Sequence, residues 1–196
     1  MGTPHGFAVR FILAETPSLV KTDIVSHATP YFVGSTGEEV LGFFQALKGN
    51  TIIEYIKSHP NAAPFYQEDR AIPKGFANEI FYSVNAFKLT GPDRRTKYVR
   101  YRWIPAADRK VLQETELRHK SPNFLFDELP EQLKQGPITF RLVAQIAEDG
   151  DKTDDCMEIW PEERELMDLG VLSLDRIVTE EELPTQDDAI VFDPSP

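Results

Sequence analysis

The sequence predicts an α+β fold dominated by antiparallel strand pairing. Two β-rich runs, Asn78 to Thr90 and Thr96 to Ile104, flank Gly91-Pro92-Asp93, a turn in which proline suits the second position. Ile138, Phe140, Leu142, Ala144 and Ile146 alternate with Thr139, Arg141, Val143, Gln145 and Ala147, the pattern of a strand with one buried face. Helical periodicity appears only in short stretches between such runs.

In chain order, Gly6 to Leu13 and Leu19 to Val25 read as strands joined through Ala14-Glu15-Thr16-Pro17, and Pro30-Tyr31-Phe32-Val33 adds a short apolar run. Ser35 with Glu38 three residues on is a capping-box pattern. It starts an amphipathic helix of Val40, Leu41, Phe43, Phe44 and Leu47 that Gly49 ends. Thr51 and Glu54 repeat the pattern, with Ile52, Ile53 and Ile56 on one face of a helix that stops before Pro60. Residues 60–76 read as a Pro-rich loop. In the strand after Asp93, Lys97, Val99, Tyr101 and Trp103 alternate with Tyr98, Arg100, Arg102 and Ile104, so the face carrying two arginines is either wet or lines a polar cavity. Pro122 to Gln135 is helical in pattern, with Pro130 as a break or restart and Gly136 as its end. In IWPEERELMDLGVLSL, Pro161 opens a charged helical turn in which Glu162, Glu163 and Glu165 favour the positive end of the dipole. A short amphipathic run, Leu166, Met167 and Leu169, then ends at Gly170 as a left-handed cap, and Val171, Leu172, Leu174 and Ile177 form a strand. Residues 179–188 read as a solvated loop, and no linker or repeat divides residues 1–196.

The net charge of −11 is uneven: residues 1–147 carry 18 Lys+Arg against 15 Asp+Glu, and residues 148–196 carry 3 against 17. Such a tail repels nucleic acid and anionic membrane, and no basic run in the front half exceeds Arg94-Arg95, so a nucleic-acid partner is not expected. No window approaches eighteen uninterrupted apolar residues, and MGTPHGFAVRF lacks a basic region followed by a long apolar one. Neither a membrane span nor secretion is indicated, and an intracellular protein is expected. Cys156 is the single cysteine, which excludes an internal disulfide; Asp154, Asp155 and Glu158 nearby oppose its thiolate.

The histidines His5, His27, His59 and His119 show no metal-ligand spacing, and three are expected at the surface. His27 differs because it ends an apolar strand before a Thr-Pro turn, where a side chain either packs structurally or points into a cavity. The acidic cluster Asp149, Asp151, Asp154, Asp155 and Glu158 lacks the central glycine and twelfth-position glutamate of a calcium loop and reads as a solvated loop. No GxSxG, Walker lysine or dinucleotide fingerprint is present.

Taken in order, GFAVRF, TDIVSHATPYF, IP-KGFANEIFYSVNAFKL, TKYVRYRWIP, ITFRLVAQIAEDGDKTDD and IWPEERELMDLGVLSL resemble the heme-catalase family. The likeness runs from Gly6 to Pro194 and is nearest in flavour to the catalase-related peroxidases, whose hairpin reads VNAFxF followed by RYRxxP. It implies an antiparallel β-barrel with flanking helices, incomplete here, and a heme cofactor whose iron is oxidised by hydrogen peroxide and reduced by a second peroxide or another donor. The family's distal histidine lies on a strand before the GFAVRF segment and its axial tyrosine on a helix after the AIVFDPSP segment, so this chain is expected to lack both. His27 occupies the place of the family's distal asparagine and is expected to serve as a substitute distal base or iron ligand. Gly6, Val25, Phe32, Val40, Val84 and Asn85 correspond to the heme-pocket wall. Glu162 and Glu163 disfavour the nucleotide phosphate that some family members bind near the Trp-Pro pair. Two other readings stay open: a non-enzymatic scaffold of the same fold that binds an apolar ligand or a partner chain, and an enzyme acting on organic or lipid hydroperoxides. Unpaired strand edges would be covered by a homo-oligomer or by rearranged packing.

Overall fold

The computed structural model describes residues 4–17, 20–67, 71–179, 182 and 192. Its frame is one antiparallel sheet of β1 (Gly6–Ala14), β2 (Val20–His27), β3 (Phe81–Tyr82), β4 (Phe87–Thr90), β5 (Thr96–Pro105), β6 (Ile138–Ile146) and β7 (Leu166–Leu174). The order across the sheet is β1-β2-β3-β5-β6-β7, with β4 also paired to β5. The expected long hairpin is present with one refinement. Its first arm is split at Ser83 to Ala86, and both pieces lie against β5. The sheet forms half of a barrel with helices beside it, the α+β antiparallel architecture that the sequence predicts.

One face of the sheet is aromatic. Phe81, Trp103 and Phe140 are almost fully buried there with Ile24 and Leu142, and Leu129 and Leu133 of α5 (Phe124–Gln135) pack against them. Phe7 stacks on Phe81 at 4.9 Å and meets Trp103 edge-on at 5.5 Å, an arrangement that adds to area burial. Pro130 lies inside α5 without ending it, and Gly136, at φ 150°, turns the chain into β6. The strand β6 is buried on both faces from Leu142 to Ile146, not on one, because the segment around Pro161, whose carbonyl accepts from Gln145, covers what the alternation leaves polar.

A second cluster lies among the early helices: Tyr31, Val33, Phe43, Ile52 and Phe65 are buried between α1 (Gly37–Lys48), α2 (Ile52–Ser58) and α3 (Ala63–Gln67). The capping box of α1 falls one residue later than expected. Thr36 Oγ1 accepts from the Glu39 amide at 3.2 Å, while the Glu39 carboxylate accepts from the Thr36 and Ser35 amides at 3.3 and 2.8 Å. Thr51 precedes α2 without a side-chain cap bond, and Ile53 is 52% exposed, so the three isoleucines do not share a buried face. The loop expected over residues 60–76 contains α3, and the single turn α4 (Glu114–Leu117) goes unread in the sequence.

The largest correction concerns residues 161–170. Pro161 opens a tight turn closed by the Arg164 amide on the Pro161 carbonyl at 3.2 Å, and β7 begins at Leu166 with no helix between. Pairing along the whole of β6 outweighs a three-residue apolar pattern, since a helix that short stabilises little by itself. Gly170 caps no helix. It has φ 140° in a bulge where Leu142 pairs with Gly170 and Val143 with Asp168, leaving Leu169 as the extra residue.

The arginine face of β5 is a lining, not a wet surface. Arg100 is 5% exposed; it donates to the Asp155 carbonyl at 2.8 Å and to the Glu158 carbonyl, and its guanidinium carbon lies 4.4 Å from the Trp160 ring centre. Burial lowers its pKa from the ordinary guanidinium value. Arg102 bonds Glu162 at 2.8 Å. Asp151 also leaves the solvated-loop expectation: it takes a two-pronged ion pair from Arg164 at 2.9 and 3.0 Å, which holds its carboxyl below the usual range. Asp154 is exposed, as expected. The reading of residues 179–188 falls mostly outside the described residues.

Two outcomes follow. Arg100→Met, which strands two carbonyls beneath Trp160, should cost about 2–4 kcal/mol in urea unfolding, whereas a surface arginine replacement should cost well under 1. Asp151 has a depressed pKa, so its stabilisation is complete above the unfolded carboxylate value of about 3.9 and is lost as pH falls further. Asp151→Asn should therefore lower the unfolding midpoint at pH 6, with the deficit closing below about pH 4; a deficit constant to pH 2 would contradict the pairing.

Candidate functional site

Strand register places one row of side chains across the polar face of the sheet. Gly6 pairs with His27, His27 with Tyr82, Tyr82 with Arg102 and Arg102 with Val143. Directly opposed residues of antiparallel strands share a face, so Gly6, His27, Tyr82 and Arg102 follow one another in space across the row. Arg102 lies 5.5 Å from the Tyr82 ring centre, and its other end is held by Glu162. Burial raises the Tyr82 pKa, the nearby Arg102 charge opposing it.

His27 is fixed by the turn that follows it. Its Nδ1 lies 2.7 Å from Thr29 Oγ1 and 3.3 Å from the Thr29 amide, and Thr29, 1% exposed, has its hydroxyl 3.0 Å from the Tyr31 carbonyl. The hydroxyl has one proton. Given to Tyr31, it leaves Oγ1 only an Nδ1–H to accept from; given to Nδ1, it puts the ring proton on Nε2, and the Thr29 amide, which can only donate to Nδ1, favours this second state. The Phe32 ring lies 5.4 Å from the imidazole. Val25, two residues before His27 and therefore on its face, is 43% exposed.

Arg10 and Asp23 continue the face. They form a two-pronged pair at 2.9 and 2.8 Å with Asp23 buried, and the Phe192 ring lies 5.2 Å from the Arg10 guanidinium carbon. The structure thus brings Gly6, Val25, Phe32 and His27 together. Val40, like Phe32, packs at the margin of the helical cluster, and Val84 is buried just beyond β3 while Asn85 is exposed. Tyr82, Thr29 and the Arg10–Asp23 pair join the site without having been singled out from sequence. The arginine alternation in β5 was the readable trace of the row, but Tyr82 needed the register of a two-residue strand.

Elsewhere, His59 and His119 are exposed, as expected, but His5 is not a surface residue: it packs edge-on against Phe76 at 5.7 Å and lies 3.6 Å from buried Glu79. Cys156 donates to the Gly34 carbonyl at 3.4 Å, and burial first, then Asp155, raises its pKa, which opposes nucleophilic use. Among the described residues no group of three His, Cys, Asp or Glu is gathered to hold a metal ion, and no helix is long and apolar enough to cross a membrane.

The geometry has counterparts. A family model described as Catalase matches residues 2–195. The chain belongs to the catalase family. It is 30% identical over 198 residues to a catalase-related peroxidase of Mycolicibacterium paratuberculosis, covering 97% of this chain and 61% of that protein. It is 27% identical to catalase A of Emericella nidulans, over 90% of this chain and 27% of the relative. The fold is also that of a fungal catalase crystal structure, with a TM-score of 0.79 at 19% identity, covering 97% of this chain and 42% of that one. The chain therefore spans about three fifths or less of the length of these catalase-family proteins.

Thr29→Val should remove the hydroxyl contact of the imidazole and leave the backbone amide in place. The expected result is a cost of about 1 kcal/mol in stability and a change of His27 ring-nitrogen shifts in NMR, with the other three histidines unmoved. Unchanged His27 shifts would show that Thr29 does not set its state.

Proposed function

We propose that this chain supplies the sheet and one pocket wall of a heme-dependent protein acting on hydrogen peroxide. The supporting observation is the placement of His27 on one face with Gly6, Val25 and Phe32, its ring position set by Thr29. These residues fit one side of a heme: Val25 offers exposed apolar surface, Phe32 an aromatic edge and His27 an anchored imidazole. The Phe192 contact with Arg10 adds to this reading, because it brings an aromatic ring to the same face. The bound group would supply the redox chemistry of its iron.

The chain's own residues do the positioning. With Nδ1 accepting from the Thr29 amide, the neutral His27 ring carries its proton on Nε2 and would donate it to an oxygen of the substrate. Val25 and Phe32 exclude water beside it. Tyr82 and Arg102 back the imidazole, the arginine charge being balanced by Glu162. An iron ligand would need the Nε2 lone pair, whereas a ring whose Nδ1 accepts from Thr29 keeps its proton on Nε2, which supports a distal proton-handling role.

Hemin titration of the full chain tests this. A saturable Soret band is expected, shifted in His27→Ala, with oxygen released from peroxide by the loaded protein. No Soret change on titration, or a band identical in His27→Ala, would remove the reading.

A further inference from the structure

We propose that the aromatic cavity on the opposite face of β1 is a binding site for a small neutral aromatic molecule bearing a hydroxyl group. The cavity measures about 370 Å³, and its walls include the rings of Phe7, Phe76, Phe81, Phe126 and Phe140. It lies apart from the proposed heme wall. Gly6 borders it, and the Ala28 amide bonds the His5 carbonyl at 2.9 Å, so the strand pair β1–β2 separates the two places.

Size comes first. A cavity of about 150 Å³ accepts benzene, so this one admits one to two fused rings. Five phenylalanine rings then favour an aromatic guest over an aliphatic one of equal area, because offset and edge-on ring contacts add to area burial. The mouth carries an exposed apolar group: Phe126 is 68% exposed and meets Phe76 edge-on at 5.1 Å. Covering that ring from within the cavity removes apolar area from water.

His5 decides the polar end. It is the polar side chain of the lining, and its Nδ1 faces Glu79, whose side chain is 7% exposed and has Arg109 at 3.9 Å. The carboxylate 3.6 Å from Nδ1 favours the ring proton on that nitrogen, which leaves Nε2 as an acceptor matched by a phenolic hydroxyl. An anionic guest meets the buried Glu79 charge and a chain of net charge −11. A cation gains the rings but has His5 between it and the carboxylate.

Equilibrium dialysis of the full chain with 2-naphthol, naphthalene, 2-naphthoate, 1-decanol and a naphthyl trimethylammonium salt tests the assignment. Saturable binding of 2-naphthol is expected, about fivefold tighter than naphthalene and tighter than the other three. In His5→Phe the preference for naphthol over naphthalene should fall to about one while naphthalene still binds. Leu129→Trp, which fills the cavity from α5, should abolish both; if that variant does not fold, the His5 comparison decides. Absence of saturable naphthol binding, an unchanged preference in His5→Phe, tighter binding of decanol or of either charged probe, or one site per two chains would overturn the proposal.

Discussion

The buried guanidinium of Arg100 is the interaction on which the arrangement depends. It emerges from the middle of β5, is taken out of water, and is repaid by two backbone carbonyls and the face of Trp160. Those carbonyls belong to residues 155 and 158, and the same segment bonds outward: the Phe32 amide donates to the Cys156 carbonyl at 3.0 Å and Ser35 Oγ donates to Asp155 at 2.6 Å. One cation therefore ties the sheet to the chain entering α1. A hydrophobic contact there would hold the layers together without fixing their relative position, because dispersion is not directional, whereas two carbonyls and a ring face define a pose. The turn after His27 inherits its place from that pose.

Much of this was legible in the sequence, for identifiable reasons. Strands β5 and β6 announce themselves because one of their faces is continuous aromatic and aliphatic core, and alternation reports burial directly. The helix α1 was read from the same physics, with its cap displaced by one residue because Ser35 and Thr36 both precede a glutamate at the right spacing. The segment from Pro161 to Gly170 was misread because proline, three glutamates and a glycine satisfy helix grammar locally, while the decision was made by an unpaired edge of β6 far away in sequence. Asp151 was lost in an acidic run for a similar reason. Its partner Arg164 is thirteen residues on, and no local pattern connects them.

The site divides likewise. His27 stood out as a polar residue ending an apolar strand, and Gly6, Val25 and Phe32 came with the family likeness; all four converge. Val40 and Asn85 came by the same route, but Val40 lies on α1 and Asn85 is exposed, since likeness transfers position in the chain more faithfully than the direction of a side chain. Tyr82 could not be found from its own neighbourhood, because two residues of strand carry no periodicity. What β1 and β2 achieve is a partition: aromatic rings on one side, a charged and titratable row on the other, with a single layer of backbone between.

The bulge at Gly170 can be regarded as a change of parity. Before it Asp168 stands opposite Val143 on the polar face; after it Leu172 and Leu174 stand opposite Phe140 and Ile138 and join the aromatic core. An uninterrupted count would have sent both leucines to the other side. In most strands a slip of one residue turns the surface inside out, yet here the slip reconciles a charged beginning with an apolar end. Leu169 is thus a spacer whose identity matters less than its presence, and the length of β7, more than its composition, is what the half-barrel requires of it.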